Sequence, residues 1–241
     1  MKKLFALLLT LAMVLSLAAC GGKKEEAPAE ETKEPEQTET QESAESAVTT
    51  VTAGKLTVAT SPDFAPYEFY AIGEDGTPTL AGFDVALAGY IADYLGLELE
   101  MVTVDFDGVL TELQTKSADL GMAGLSPDPK RTSIMDFSDI YYEGGQSFVT
   151  VAGNEDLFPT LEDTNKAEYS IGAQTGSIQM DLANENSPEA DIVSLPKVTD
   201  IIAELLTGKL DGAYIETDVA KSYAQNYPYL AFILDVPYES E

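Results

Sequence analysis

Several residues that could hold a small polar ligand come directly after short apolar runs typical of β-strands. They supply a planar cation, a carboxylate, small polar groups and aromatic rings, and they are Ser61, Phe64, Phe106, Gly124, Ser126, Arg131, Gln174, Ser177 and Glu216. A guanidinium fork and the free N–H groups of a helix N-terminus suit a carboxylate, whereas an acidic side chain suits an ammonium group. Together these groups would hold a zwitterion.

Each of these residues also has an ordinary interpretation. Arg131 could be a surface charge, Gly176 a turn residue and Glu216 the N-cap of a helix. From spacing alone, both the ligand-binding interpretation and the ordinary one stay open.

The composition excludes the commonest kinds of enzyme site. The 241 residues include no histidine, which removes Ser-His-Asp chemistry, Cys-His chemistry and histidine-rich metal sites. We therefore predict no metal and no cofactor. The single cysteine cannot form an internal disulfide. The net charge of −29 opposes binding to nucleic acid, and serves mainly as a solubilising surface, although it would also attract cationic solutes.

Residues 1–19 have the features of a secretory signal peptide. Two lysines form a basic start, an apolar run follows to Leu17, and small residues precede Cys20. This run is too short to span a bilayer. Residues 17–21 resemble the lipobox of bacterial lipoproteins, in which the cysteine is acylated, although an ordinary signal peptide with a chance cysteine would look similar. We predict export and a lipid anchor at Cys20 on the outer face of the cell membrane.

Residues 20–53 have the composition of a disordered tether. As far as about Thr50 they are mostly Glu, Ala, Pro, Thr, Gln and Ser, with no aromatic residue. Such a segment buries too little apolar surface to offset the entropy lost on ordering. We predict an acidic linker between the anchored cysteine and the folded part.

From Gly54 the pattern changes to apolar strands that alternate with helical periodicity, which is typical of an α/β domain. We predict strands over 55–60, 97–104 and 119–123, and a helix over 109–116 with Asp107 as its N-cap. Another helix, with Gly96 as C-cap, has an apolar face formed by Phe83, Ala86, Leu87, Tyr90, Ile91, Tyr94 and Leu95. These elements define a first lobe, residues 54–148.

The same order of elements recurs in residues 149–235, which we assign to a second lobe. Strands are predicted over 169–173, 191–193 and 212–215, with a short helix after Gly176. A further helix has one apolar face formed by Val198, Ile201, Ile202, Leu205 and Leu206.

A weak internal repeat links the two halves. Leu113 stands six positions before Asp119, and Leu205 stands six before Asp211, each at a step from helix to strand. Residues 148–151 form an apolar run placed to cross between the lobes. Because ligands of open α/β sheets bind at the carboxyl ends of strands, two facing lobes would form a cleft there.

Several motifs of this chain resemble family 3 extracellular solute-binding proteins, the polar amino-acid receptors of ABC importers. They are Val58-Ala59-Thr60, Ala65-Pro66-Tyr67-Glu68-Phe69, Gly82-Phe83-Asp84-Val85, Leu113-Gln114-Thr115-Lys116, Asp119-Leu120, and Arg131 followed by Asp136-Phe137-Ser138. The resemblance runs from Gly54 to nearly the end of the chain. It implies a two-lobed α/β fold of the type II periplasmic-binding-protein kind.

The resemblance also implies roles for the residues at the strand ends. Arg131 and main-chain groups near Ser126 and Ser177 would meet the ligand carboxylate. The ligand ammonium would meet the carbonyl of Gly124, the hydroxyl of Ser126 and the carboxylate of Glu216. The rings of Phe64 and Phe106 would cover the ligand, and Ser61 and Gln174 would complete the site.

This chain departs from the family pattern in three places. Glu216 stands where the family usually has Asp, and Ser61 stands where receptors of cationic ligands often have an acid, for which Asp63 could substitute. Residues 236–241 would begin a return crossover, so we expect the rest of lobe 1 to be missing and the chain as given to be poorly stable.

The function implied is capture of a free amino acid by closure of the cleft, followed by delivery to an ABC permease in the membrane. The expected receptor is a monomer that contacts the bilayer only through acylated Cys20. Two alternatives stay open. A few proteins of this fold are cyclohexadienyl or arogenate dehydratases, in which a residue such as Glu216 would be a general acid. A surface lipoprotein that senses a solute is the other.

Overall fold

The computed structural model describes residues 48–238. The signal peptide, Cys20 and most of the linker therefore lie outside the described residues. Near the end of the linker, the backbone N–H of Val51 donates to the Asp119 carboxylate at 2.7 Å, so the chain contacts the first lobe from this point. In the described part, no helix has the length and apolarity needed to cross a membrane.

The described residues contain eleven strands, five α-helices and two short 3₁₀ helices, Glu155–Leu157 and Leu161–Thr164. The strands are β1 Lys55–Thr60, β2 Asp63–Phe64, β3 Glu68–Ile72, β4 Pro78–Ala81, β5 Glu98–Thr103, β6 Leu120–Gly121, β7 Gln146–Val151, β8 Ser170–Gln174, β9 Asp191–Leu195, β10 Gly212–Glu216 and β11 Leu230–Val236. The helices are α1 Phe83–Leu95, α2 Phe106–Gln114, α3 Ile178–Asn186, α4 Val198–Leu206 and α5 Thr217–Asn226.

The first lobe contains a parallel sheet in the order β5-β1-β6. A small antiparallel sheet, β2-β3-β4, inserts between β1 and α1. The sequence did not predict this small sheet. It matters for the site because Phe64 ends β2 and Tyr67 directly precedes β3.

Helix α1 ends as predicted but packs only partly through the predicted face. Gly96 is the C-cap, in the left-handed conformation with φ 68°. The residues that pack closest to the sheet are Ala88 and Ala92, which are fully buried, whereas Tyr90 and Tyr94 are 72% and 83% exposed. The prediction was therefore wrong for the two tyrosines, because small alanine side chains let the helix approach the sheet, whereas Leu87 and Ile91 of the predicted face do pack against the core.

The second lobe is a five-stranded sheet in the order β11-β7-β10-β8-β9. Strands β10, β8 and β9 are parallel, and β7 runs antiparallel between β10 and β11. On one face α4 buries Val198, Ile201, Ile202 and Leu205, as its periodicity predicted. On the other face α3 packs over a cluster that includes Phe148, Phe158 and Tyr214.

The predicted repeat has a structural counterpart in both lobes. Asp119 accepts a hydrogen bond from the Thr57 N–H at 2.8 Å, and Asp211 accepts one from the Ser170 N–H at 2.9 Å. Each aspartate lies between a helix and the strand that follows it, and its carboxylate bonds to the first parallel strand of its lobe. The lobe limits predicted at residues 54, 148 and 235 stay a proposal.

The sequence placed some element ends incorrectly and missed others. Helix α2 begins at Phe106 after Asp105, so the prediction of Asp107 as its N-cap was wrong. The strand predicted over 119–123 covers only Leu120–Gly121. Helix α5 was anticipated only through the alternative interpretation of Glu216 as a helix N-cap, which the structure confirms, and strand β11 was not predicted.

Candidate functional site

A cavity of about 490 Å³ lies between the two lobes. Its walls come from the first-lobe loop that follows β6, from the extended segment 137–144, and from the second lobe. Three of the predicted site residues line it, namely Gly124, Ser126 and Glu216. The other six lie beside it or hold its walls in place.

Glu216 ends β10 and begins α5. Its Oε2 accepts from the Val219 N–H at 2.8 Å, so it caps the helix, and its Oε1 accepts from the Tyr67 hydroxyl at 3.3 Å across the cleft. The residue is only 6% exposed. Burial raises the pKa of this carboxyl, and the Val219 N–H opposes that rise. Glu216 is therefore both a helix cap and a buried acid in the cavity wall.

Arg131 is a buried cation rather than a surface charge, with 7% of the residue exposed. Its guanidinium donates to the Ser126 carbonyl at 3.2 Å in the first lobe and to the Gly176 carbonyl at 3.1 Å in the second. Its Cζ lies 5.7 Å from the centre of the Phe106 ring. Burial lowers the pKa of Arg131, but a guanidinium stays protonated in proteins. These contacts orient the cation at the closed cleft.

The loop carrying Gly124 is fixed by the aspartate of the Gly-Phe-Asp motif. Asp84 is fully buried and accepts from the Gly124 N–H at 3.0 Å and from the Tyr141 hydroxyl at 2.9 Å. Gly124 has φ 57°, and a Cβ there would lie 2.8 Å from the Phe64 ring. Both the backbone conformation and the ring contact therefore require glycine at this position.

Ser61, Gln174 and Ser177 make their hydrogen bonds away from the cavity lining. The Ser61 hydroxyl donates to Asp63 at 3.1 Å, and the Gln174 amide donates to the Pro196 carbonyl at 3.2 Å. Ser177 is the N-cap of α3, where its Oγ accepts from the Met180 N–H at 3.3 Å. None of these three residues lines the cavity.

Tyrosines form much of the cavity wall, and none of them was among the predicted site residues. Tyr67 stacks on Phe64 with 5.8 Å between ring centres and meets Tyr142 edge to face at 5.5 Å. Tyr141, Tyr142 and Tyr238 also line the cavity. The Ala-Pro-Tyr motif next to Phe64 was the one available signal for Tyr67. The segment 137–144 has no regular periodicity, so its position in the cavity wall could not be predicted from the sequence.

The cavity has an acidic lining. Asp139, Glu143 and Glu216 contribute carboxyl groups, and no lysine or arginine is among the described residues that line it. Acidic walls favour a ligand that carries positive charge. Elsewhere in residues 48–238, no cluster of acids has the arrangement needed to hold a metal ion.

Residues 56–224 match the bacterial extracellular solute-binding proteins, family 3. The chain belongs to this family. Its two-lobed α/β architecture is the type II fold of amino-acid-binding periplasmic proteins, to judge from its structural neighbours. Membership of an extracellular family places the protein outside the cytoplasm.

The relatives of this chain include both binding proteins and an enzyme. The arginine-binding extracellular protein ArtP of Bacillus subtilis is 31% identical over 225 residues, which cover 92% of this chain and 76% of ArtP. The cyclohexadienyl dehydratase of Pseudomonas aeruginosa is 27% identical over 181 residues, covering 75% of this chain and 66% of that enzyme.

Similar solved structures are amino-acid-binding proteins, and one of them is a precursor of an enzyme. The amino acid ABC transporter substrate-binding protein AbpA of Streptococcus pneumoniae, bound to L-arginine, is 36% identical with a TM-score of 0.72 and 75% coverage of both chains. The ancestral amino-acid-binding protein AncCDT-1, a precursor of cyclohexadienyl dehydratase, is 30% identical with a TM-score of 0.69, covering 76% of this chain and 78% of that one.

Proposed function

We propose that this protein is a monomeric receptor that binds a free amino acid in the cavity between its lobes and delivers it to an ABC permease. The observation that carries the proposal is the pairing of opposite charges at the cleft. A buried guanidinium, Arg131, lies behind the cavity lining and donates to the carbonyl of the lining residue Ser126, while a buried acid, Glu216, lines the cavity from the second lobe. This arrangement matches the two charges of a zwitterion.

In this proposal the two ends of the amino acid meet different lobes. The carboxylate pairs with Arg131, whose contacts to Ser126 and Phe106 hold the fork in place. The ammonium pairs with Glu216 and with the carbonyl of Gly124. A bound ammonium would lower the raised pKa of Glu216, so the acid binds as a carboxylate. Closure of the lobes is then favoured by contacts made only when the ligand is present.

We further propose that the preferred amino acid has a cationic side chain. The acidic lining supports this, and so do the names of relatives that bind arginine. Because Ser61 and Asp63 bond to each other outside the lining, the charge partners would be Asp139 and Glu143 rather than an acid near Ser61.

A thermal-shift screen followed by calorimetry tests the binding function. The mature protein is incubated with each of the twenty amino acids, and a ligand at 100 times its dissociation constant stabilises by about 2.7 kcal/mol. We expect L-arginine to give the largest shift and L-glutamate none. If no amino acid shifts the melting temperature, the receptor function is refuted. If only neutral amino acids do, the cationic preference alone fails.

Export and lipidation through Cys20 also belong to the proposal. The motif around Cys20 supports them, and it lies outside the described residues. Cells expressing the full chain are fed an alkyne-tagged fatty acid, and membrane fractions are probed for the label. We expect labelled, membrane-bound protein, and a Cys20→Ala variant that carries no label. Equal labelling of the two proteins would contradict the anchor.

The dehydratase activity of one relative gives a second candidate, because Glu216 is a buried acid in a closed cavity. We propose that this chain binds without catalysis, since most of its relatives are named as binding proteins. Incubation with prephenate or arogenate should yield no aromatic product. Product formation that is lost in Glu216→Gln would overturn this.

A purely sensory role predicts binding without amino-acid uptake by cells that carry the permease.

A further inference from the structure

Asp63 joins the first lobe to two helices of the second lobe. Its Oδ2 accepts from the N–H of Val198, the first residue of α4, at 2.5 Å. Its backbone carbonyl accepts from the hydroxyl of Tyr223, on α5, at 2.8 Å. Its Oδ1 accepts from the Ser61 hydroxyl within the first lobe at 3.1 Å. None of these four residues lines the cavity.

The contact with α4 replaces a cap that the helix lacks. Helices α3 and α5 are capped by side chains of their own lobe, Ser177 and Glu216. Helix α4 starts after Lys197, whose side chain makes no capping bond. A carboxylate at a helix N-terminus satisfies a free N–H and interacts favourably with the helix dipole. Asp63 therefore caps α4 from the opposite lobe.

The bond between Asp63 and Val198 crosses from one lobe to the other, so it can form only while the lobes are in contact. Burial raises the pKa of the Asp63 carboxyl, while the Val198 N–H and the Ser61 hydroxyl oppose that rise. When the lobes separate, both the carboxylate and the N–H return to water. The bond is thus a difference between the closed and open forms rather than a property of either lobe.

We propose that Asp63 is a positioning residue that sets the free energy of cleft closure, and through it the affinity for every ligand, without touching any ligand. The part that concerns affinity rests on the proposed receptor function. Because a ligand binds tightly only to the closed form, a contact unique to that form multiplies all affinities by the same factor. Ligand discrimination then stays unchanged.

The test compares three variants of the same full-length chain. Asp63→Ala removes the cap, and Asp63→Asn keeps an acceptor oxygen but loses the charge. Asp105→Asn is the matched control, because Asp105 also bridges to the start of α4, through an exposed ion pair with Lys197 at 3.5 Å. We expect Asp63→Ala to weaken binding of L-arginine about tenfold, Asp63→Asn less, and Asp105→Asn less than about twofold.

The pattern of the losses separates closure from a disturbed site. The dissociation constants for L-arginine and for a weaker amino acid ligand should rise by the same factor, with faster dissociation and unchanged association. A change in their ratio by more than about threefold would place Asp63 at the ligand and overturn the proposal. Unchanged affinities in Asp63→Ala would also overturn it.

A double-mutant cycle tests the bond itself. Val198→Pro removes the N–H that donates to Asp63, and proline is tolerated at the first position of a helix. Because the Val198 side chain is buried, circular dichroism first checks that this variant is folded. If the bond carries the effect, the double variant of Asp63→Asn and Val198→Pro binds no more weakly than the worse single variant. Additive losses would refute the bond.

A ligand-free measurement keeps the closure proposal separate from the receptor function. Spin labels at Asp93→Cys in the first lobe and Glu185→Cys in the second, both exposed positions, report the lobe separation in a Cys20→Ser background. Asp63→Ala should shift the distance distribution toward the longer, open population, and Asp105→Asn should not. An unchanged distribution contradicts the closure role even in a chain that binds no amino acid.

Discussion

Replacing Arg131 with alanine should remove most of the binding energy for the ligand carboxylate. The guanidinium carries five N–H groups, and the Ser126 and Gly176 carbonyls engage two of them. The others can form a two-point contact with a carboxylate. At 7% exposure, this contact would be made in a site from which water is largely excluded.

The expected loss follows from the strength of charged hydrogen bonds. Each is worth about 1.5 to 3 kcal/mol, and two bonds on one fork are not fully additive. The variant should therefore lose about 3 kcal/mol, which corresponds to about a hundredfold weaker binding. Arg131→Lys should recover only part of this, because an ammonium cannot form the planar two-point contact.

Calorimetry with the preferred amino acid measures the effect directly. The neighbouring Lys130 provides the control, because it also bridges the lobes, through an ion pair with Asp181 at 2.9 Å, but both side chains are more than half exposed. Lys130→Ala should change the affinity by less than about threefold. Folded Arg131→Ala protein that binds within threefold of the unmodified chain would refute the assignment of Arg131 to the ligand carboxylate.

Three further changes have expected outcomes. Glu68 is buried with no hydrogen-bond partner among the described residues, and burial raises its pKa well above 4.5. The folded state therefore keeps a proton on Glu68 that the unfolded state has lost, so the free energy of unfolding falls as the pH rises above 4.5. In urea unfolding, the free energy of unfolding of Glu68→Gln should rise relative to that of the unmodified chain by up to about 1.4 kcal/mol per pH unit above pH 4.5. The same pH dependence in both proteins would contradict this. Tyr67→Phe removes the 3.3 Å bond to Glu216 and should weaken ligand binding by about 1 kcal/mol in titrations while the fold is kept; tighter binding would argue against the bond. Gly82→Ala places a Cβ 2.1 Å from the Tyr67 carbonyl at φ 127°, so its melting temperature should drop sharply, whereas Gly89→Ala, which meets nothing within 4 Å, should melt normally.

Elements with a strong apolar period were predictable from the sequence, and elements shaped by close packing were not. Helix α4 buries the residues that its spacing selected, because large aliphatic side chains fill the space beneath it. Helix α1 meets this expectation only in part, since Ala88 and Ala92 lie closest to the sheet while Tyr90 and Tyr94 are exposed. A periodicity of large residues cannot reveal a helix that packs through its small ones.

The site was predictable where residues follow strands and unpredictable where contacts cross the cleft. The fold brings Gly124, Ser126 and Glu216 to one cavity, in agreement with their positions after β6 and β10. Contacts such as Asp63 with Val198 join residues 135 positions apart, so no local pattern marks them. The roles of Glu216 as helix cap and as cavity acid were posed as alternatives, yet its two carboxylate oxygens serve both at once.

The two main sheets draw on separate, consecutive stretches of the chain, with β5-β1-β6 within residues 55–121 and the five-stranded sheet within residues 146–236. Each sheet can therefore form from contacts within its own stretch of the chain, at moderate sequence separation. The Tyr67–Glu216 contact spans 149 positions and requires both lobes. Competence to bind is thus the last property acquired during folding. In a refolding experiment, the circular dichroism signal of the folded lobes should recover before ligand binding does.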